Sequence, residues 1–97
     1  MKLRERKNLQ RIYNAIRYGK PVTFNYLATY SNEPHQQPVV MILQDGLSPK
    51  GGRYPLDAKE IKFTAINLKR IAYGTSVSDA VRTYKLSQII GNIKVLR

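Results

Sequence analysis

The hydrophobic period of this chain changes abruptly between Tyr18 and Val22, and that change decides what the chain can fold into. Upstream, Leu9, Ile12, Tyr13 and Ile16 recur at i, i+3, i+4 and i+7, the spacing of one stripe on an α-helix. Lys2, Arg4, Arg6, Lys7, Asn8, Gln10, Arg11 and Arg17 lie off the stripe, so the remaining face is polar and mostly cationic. The pattern predicts a helix from about Leu3 to Arg17. Tyr18-Gly19-Lys20-Pro21 ends it, because Gly takes a left-handed cap cheaply and Pro cannot continue a helix. Beyond Pro21 the period is 2, with Val22, Phe24 and Tyr26 on one side of a strand.

Four further strands follow from the same pattern. Pro38 to Leu43 is apolar on both faces, which predicts a covered or central strand. Ile61 to Ile66, Val81 to Leu86 and Ile93 to Leu96 complete the set. Tyr30 to Gln36 reads as a turn, Leu47 to Glu60 as a long loop with Pro49, Gly51, Gly52 and Pro55, and Ser87 to Asn92 as a short turn. Asn67 to Ala80 reads as a second loop with room for a helical turn at Leu68 to Tyr73. The expected fold is α+β, mainly β: an amphipathic helix (about 3–17) and a five-stranded antiparallel barrel of the SH3 or Sm type (about 22–97), in one domain. The expected core is Phe24, Tyr26, Val40, Ile42, Phe63, Ala65, Val81, Ile93 and Val95, covered by Leu9, Ile12, Tyr13 and Ile16. Val81 and Tyr84 lie on opposite faces of one strand, so only one of them can point straight inward without a bulge.

Charge narrows the function. The chain carries 17 Lys and Arg against 6 acidic groups, a net +11 on 97 residues, and that self-repulsion favours a polyanionic partner. A hydrophobic fraction of 42% is enough to fill a core. With no cysteine and one histidine, His35, the chain has neither disulfides nor the ligands of a zinc site. Its acidic residues are scattered, no P-loop or dinucleotide fingerprint is present, and Ser31 and Glu33 are too local to His35 to imply a triad. A non-enzyme without metal or cofactor is expected. No apolar run approaches the roughly 20 residues that span a bilayer, and the basic N-terminus lacks the apolar stretch of a signal peptide. The expected location is cytoplasmic, with no membrane partner.

Three stretches carry a family resemblance. Ile12 to Tyr26 (IYNAIRYGKPVTFNY), Phe63-Thr64-Ala65, and Val81 to Ile89 (VRTYKLSQI) followed by Ile93 to Leu96 resemble, in order, the WYL domain, a bacterial regulatory module with an Sm-like barrel. Aligned on Ala65, Ile61 stands at the family's Trp, Lys62 at its Tyr and Phe63 at its Leu, so both naming aromatics are replaced. The family's Pro in the second strand also has no clear match. The resemblance implies a divergent barrel without the helix-turn-helix that usually precedes this module, acting through another chain or directly as a binder. It also implies that Arg82 occupies the cleft where single-stranded nucleic acid or nucleotide-like ligands bind.

The residues themselves supply the chemistry. Alternation puts Arg82, Tyr84 and Leu86 on one strand face, pairing a guanidinium for phosphate or carboxylate with a ring for a base or for core packing. The competing reading for Arg82 is an ordinary sheet ion pair with Asp79 or Glu60. Lys62 offers a cation on the neighbouring strand, or simply a solvated surface Lys. Lys50, Gly51, Gly52, Arg53 and Tyr54 in the first loop combine approachable backbone N–H groups with cations and a ring. Lys69, Arg70 and Tyr73 repeat cation and ring in the second. Tyr30, Tyr54 and Tyr73 are the candidates for stacking on bases.

The expected function is a regulatory binding module. It would take single-stranded DNA or RNA, or a nucleotide-like anion, through Arg82, Tyr84, Lys62, Arg53, Tyr54, Lys69 and Arg70. The alternative is a protein-interaction module that docks on an acidic partner or self-associates as a homo-oligomer through strand edges.

Overall fold

The structure, a computed structural model, describes residues 2–42 and 61–96. Helix α1 (Leu3–Tyr18) opens it. The Lys2 backbone N–H donates to Glu5 Oε1 at 3.1 Å, which satisfies one of the orphan donors at the N-terminus. Gly19, at φ 64°, takes the left-handed C-cap. Strands β1 (Val22–Tyr26), β2 (His35–Met41), β3 (Lys62–Asn67), β4 (Val81–Lys85) and β5 (Ile89–Val95) form one antiparallel sheet in the order β4-β3-β2-β1-β5. The first four are a meander, and β5 returns to pair with β1.

The α+β fold therefore stands as expected, but the sheet is open where a closed barrel was expected. No ladder joins β4 to β5. A 3₁₀ turn, Leu86–Gln88, connects them, and Tyr26 spans the seam from β1. Its hydroxyl accepts the Lys85 backbone N–H at 2.9 Å and donates to Gln88 Oε1 at 2.8 Å. Leu27 N–H adds a bond to the Gln88 carbonyl at 3.0 Å.

Two strands begin earlier than the alternation indicates. β2 starts at His35 instead of Pro38, and the β2–β3 ladder starts at Val39↔Asn67, one residue after the proline. At that position the missing N–H forfeits no bond to β3. β5 starts at Ile89 instead of Ile93, because the stretch expected as a turn holds a bulge. The β1–β5 register shifts between Thr23 and Asn25, and Gly91 sits at φ 77°. The second loop also holds more structure than expected. Besides α2 (Leu68–Ala72), capped by Asn67 Oδ1 on the Arg70 N–H at 3.2 Å, it contains α3 (Val77–Ala80), capped by Ser76 Oγ on the Asp79 N–H at 3.4 Å. The spacing Ser76-x-x-Asp79 is the signal for α3.

The core is a layer between α1 and the concave sheet face: Leu9, Ile12, Ala15, Val22, Phe24, Val39, Met41, Ile61, Phe63, Ala65, Tyr84, Leu86, Ile89 and Ile93. Tyr13, Ile16 and Tyr26 pack partly against it. The phase of β2 corrects the expectation: Val39 and Met41 point inward, and Val40 and Ile42 are only half-buried. Both faces of that strand are apolar, so alternation could not choose between them. The pairing Val22↔Val39 chooses, since directly opposed residues share a face. On β4 the inward residue is Tyr84, and Val81 is half-buried. Val95 faces inward opposite buried Val22 but remains 58% exposed, because none of the described residues covers the end of β5 beyond α1.

The helix is held by a polar contact as well as by its stripe. Asn8, expected on the solvated face, is 1% exposed. Its Nδ2 donates to the Gly91 carbonyl at 3.0 Å, and its Oδ1 accepts the Ile93 N–H at 3.0 Å. Neither group has a partner in the β1–β5 ladder: Gly91 lies in the bulge, and Ile93 presents its N–H on the free edge of β5. Asn8→Ala is expected to cost about 3 kcal/mol, the scale of orphaning two buried backbone groups, while Asn14→Ala on the exposed side of α1 stays within about 0.5 kcal/mol. Urea denaturation of both variants checks this, and equal losses would remove the clamp from the account.

Candidate nucleic-acid interface

Asn67, at the end of β3, organises the polar rim of the core. Its Nδ2 donates to Gln37 Oε1 at 2.6 Å and to the Tyr84 hydroxyl at 3.1 Å, and its Oδ1 caps α2. The Asn67 amide thus ties β2 to β4 and α2, the two elements that carry the candidate cations Arg82, Lys69 and Arg70. The β3–β4 ladder places Arg82 opposite Ala65, on the concave face and one alternation beyond Tyr84. Arg82 is exposed there. Arg70 projects from α2 beside the same rim, and both guanidinium groups act electrostatically on the Tyr84 phenol.

Of the two roles open to Tyr84, a base contact or core packing, the structure shows the second, so it leaves the group of ligand-binding candidates. Its ring is 4% exposed and packs edge-on against Phe24 (centroids 5.2 Å) and Tyr26 (5.0 Å), and in a stack on Phe63 (5.5 Å). No base can reach either ring face. Burial raises the phenol pKa above its usual value of 10.0, against the opposing pull of the Asn67 hydrogen bond, Arg82 and Arg70. Tyr84 is the floor under the cations, not part of the surface.

The other candidates divide. Lys69 sits with Arg70 on α2, and its Nζ donates to the Gln36 carbonyl at 2.9 Å, pinning α2 to the start of β2. That bond occupies part of its donor capacity. Tyr73, which caps the C-terminus of α2, is 87% exposed, and Tyr30 in the β1–β2 connection is fully exposed at the same end of the sheet. Lys62 is not part of this group. It lies at the other end of β3, roughly 15 Å from Asn67 at about 3.3 Å per residue, and on the convex face opposite Lys85. Arg53 and Tyr54, together with Lys50, Gly51, Gly52 and Glu60, lie outside the described residues.

The electrostatics leave the cations available. Among the described residues no ion pair engages Arg82, Arg70 or Lys69. Asp79, the expected alternative partner of Arg82 within the described residues, accepts a hydrogen bond from Ser76 Oγ at 2.8 Å instead. The described residues also hold no group of three or more His, Asp or Glu placed to bind a metal ion, and none of their helices is long and apolar enough to cross a membrane. Gln37 and Asn67 are the rim residues that sequence reasoning missed. An Asn at a strand-to-helix junction is the signal for the second, as a helix N-cap.

The chain matches no family model, no curated protein and no solved structure.

The raised Tyr84 pKa has a sign that can be measured. The unfolded chain loses this proton near pH 10.0 and the folded chain only above that. The contribution is therefore complete below pH 10.0 and falls as pH rises towards the folded value. Stability of Tyr84→Phe should decline less steeply over that window, and an ultraviolet titration of the native protein should lose a component ionising above pH 10.0 in the variant.

Proposed function

We propose that the protein is a non-enzymatic regulatory module that binds single-stranded nucleic acid, or a nucleotide-like anion, at the open end of the sheet formed by Arg82, Arg70, Lys69 and Tyr73. One observation carries the reading: Arg82 shares a strand face with Tyr84, the Asn67 amide that meets the Tyr84 hydroxyl also caps the helix carrying Arg70, and no carboxylate among the described residues pairs with either cation. Two guanidiniums held over a hydrogen-bonded polar floor suit phosphate oxygens, since each presents a planar fork of donors. Tyr73 and Tyr30 supply exposed rings at the same end for bases to stack on. The net charge of +11 adds long-range attraction for any such strand. The resemblance to WYL domains points the same way, since its ligand-cleft arginine corresponds to Arg82, and we read the chain as a divergent relative of that kind with an open sheet. Lys62 is left out, because its distance and opposite face exclude a shared phosphate.

A titration of single-stranded oligonucleotides against salt tests this. With about three phosphates neutralised, log K should fall with log salt at a slope near −2. Arg82→Ala and Arg70→Ala should each weaken binding by about 1–3 kcal/mol, and Lys7→Ala or Lys62→Ala by much less. Equal losses for all four would indicate diffuse charge with no site. A flat salt response would exclude a nucleic-acid ligand. Circular dichroism of Arg82→Ala separates loss of binding from loss of fold, which should survive because the side chain is exposed.

A further inference from the structure

The described residues hold a second, chemically different site on the far side of the core. Between the last turns of α1 and the paired ends of β1 and β5 lies a groove of about 290 Å³. Ala15, Val22, Ile93 and Val95 make its apolar floor, and Arg11, Asn14, Tyr18 and Lys20 stand around it. It exists because Val95 is directed inward opposite Val22 at a point where α1 has already ended.

We propose that this groove docks an acidic segment of a protein partner, which inserts one large apolar side chain over Val22, Ile93 and Val95 and places flanking carboxylates against Arg11 and Lys20. Size, chemistry and charge each narrow the occupant. The volume sits at the lower limit of roughly 300 Å³ for ligand pockets, enough for one side-chain-sized group and too little for a run of nucleotides. The floor is aliphatic. Tyr18 is the only ring, and the Arg17 guanidinium lies over it at 5.4 Å from the centroid, so that face is not open for a base to stack on. Arg11 donates to Asn8 Oδ1 at 3.4 Å, which orients its fork while leaving further N–H donors for a carboxylate. A second copy of the chain would bring another +11 to a cationic rim, which disfavours it.

The mode is an anchor, not an added strand. Leu96 N–H bonds to the Pro21 carbonyl at 2.9 Å, so by alternation the Ile93 and Val95 backbone groups face away from β1. Asn8 already takes the Ile93 N–H, which blocks that edge to strand pairing. Only the end at Val95 remains, so affinity must come from the anchor and the charges beside it.

A short glutamate-rich peptide with one central phenylalanine tests the proposal in fluorescence anisotropy. It should bind about tenfold or more tightly than the same peptide with alanine at the centre. Lys20→Glu and Val95→Glu should each weaken it by about tenfold through repulsion, and Arg82→Ala should leave it unchanged. Lys20 is exposed, so its variant reports on binding even if Val95→Glu perturbs the fold. Equal affinity for the phenylalanine and alanine peptides would overturn the proposal in favour of diffuse charge. It would also fail if a single-stranded oligonucleotide displaced the peptide and lost affinity in Lys20→Glu, or if light scattering showed a dimer that this variant dissolved.

Discussion

A helix lying across a bulged edge strand faces a specific difficulty: the bulge and the free edge leave backbone groups with no ladder partner, and a purely apolar helix face would seal them away from water. Asn8 resolves this for α1 and β5 by accepting from Ile93 N–H and donating to the Gly91 carbonyl with one amide. Leaving those groups unpaired would cost about 1–3 kcal/mol each, comparable to burying a whole leucine side chain. The clamp sets where α1 crosses the sheet, and Ala15 reaches the sheet within the same stripe. Where the helix stops at Tyr18, none of the described residues covers Val95, so the groove at that end follows from the same placement.

On the other side of the core an aromatic cluster meets polar partners. Phe24, Tyr26, Phe63 and Tyr84 interlock through edge-on and stacked contacts, worth about 0.5–1.5 kcal/mol per pair beyond area burial. The two hydroxyls serve different ends. That of Tyr26 bridges the seam between β4 and β5 that no ladder closes, and that of Tyr84 meets Asn67 and Gln37. The open sheet is thereby held at one edge by side chains and at the other supports a rim of cations. Both candidate surfaces follow from where the core runs out of apolar partners.

The distribution of charge separates those surfaces by chemistry. At the sheet rim, guanidiniums stand over polar groups beside exposed rings, an environment for phosphates and bases. At the α1–β5 groove, cations surround aliphatic carbon, an environment for a carboxylate attached to an apolar group. Two of the acidic residues in the described parts are engaged locally: Glu5 bonds the Lys2 backbone and Asp79 accepts from Ser76 Oγ.

Local pattern alone determined the helix span, its glycine stop, the existence and antiparallel order of the strands, and the inward positions Phe24, Phe63, Ala65 and Ile93. Those features depend on period and on residues with special backbone freedom, which are properties of short segments. Pattern could not decide the phase of β2, where both faces are apolar and only the pairing Val22↔Val39 selects one. Nor could it place Asn8, because a polar residue between Lys7 and Leu9 reads as solvated until the bulge it serves is known. Arg82 was legible as a cation on a strand face. That Tyr84 beside it would be core, that Arg70 would join it and that Lys62 would lie on the opposite face at the other end depend on register and on α2. Tertiary structure decides such matters because a side chain's surroundings are set by strands that pair across long stretches of sequence, and no local window contains them.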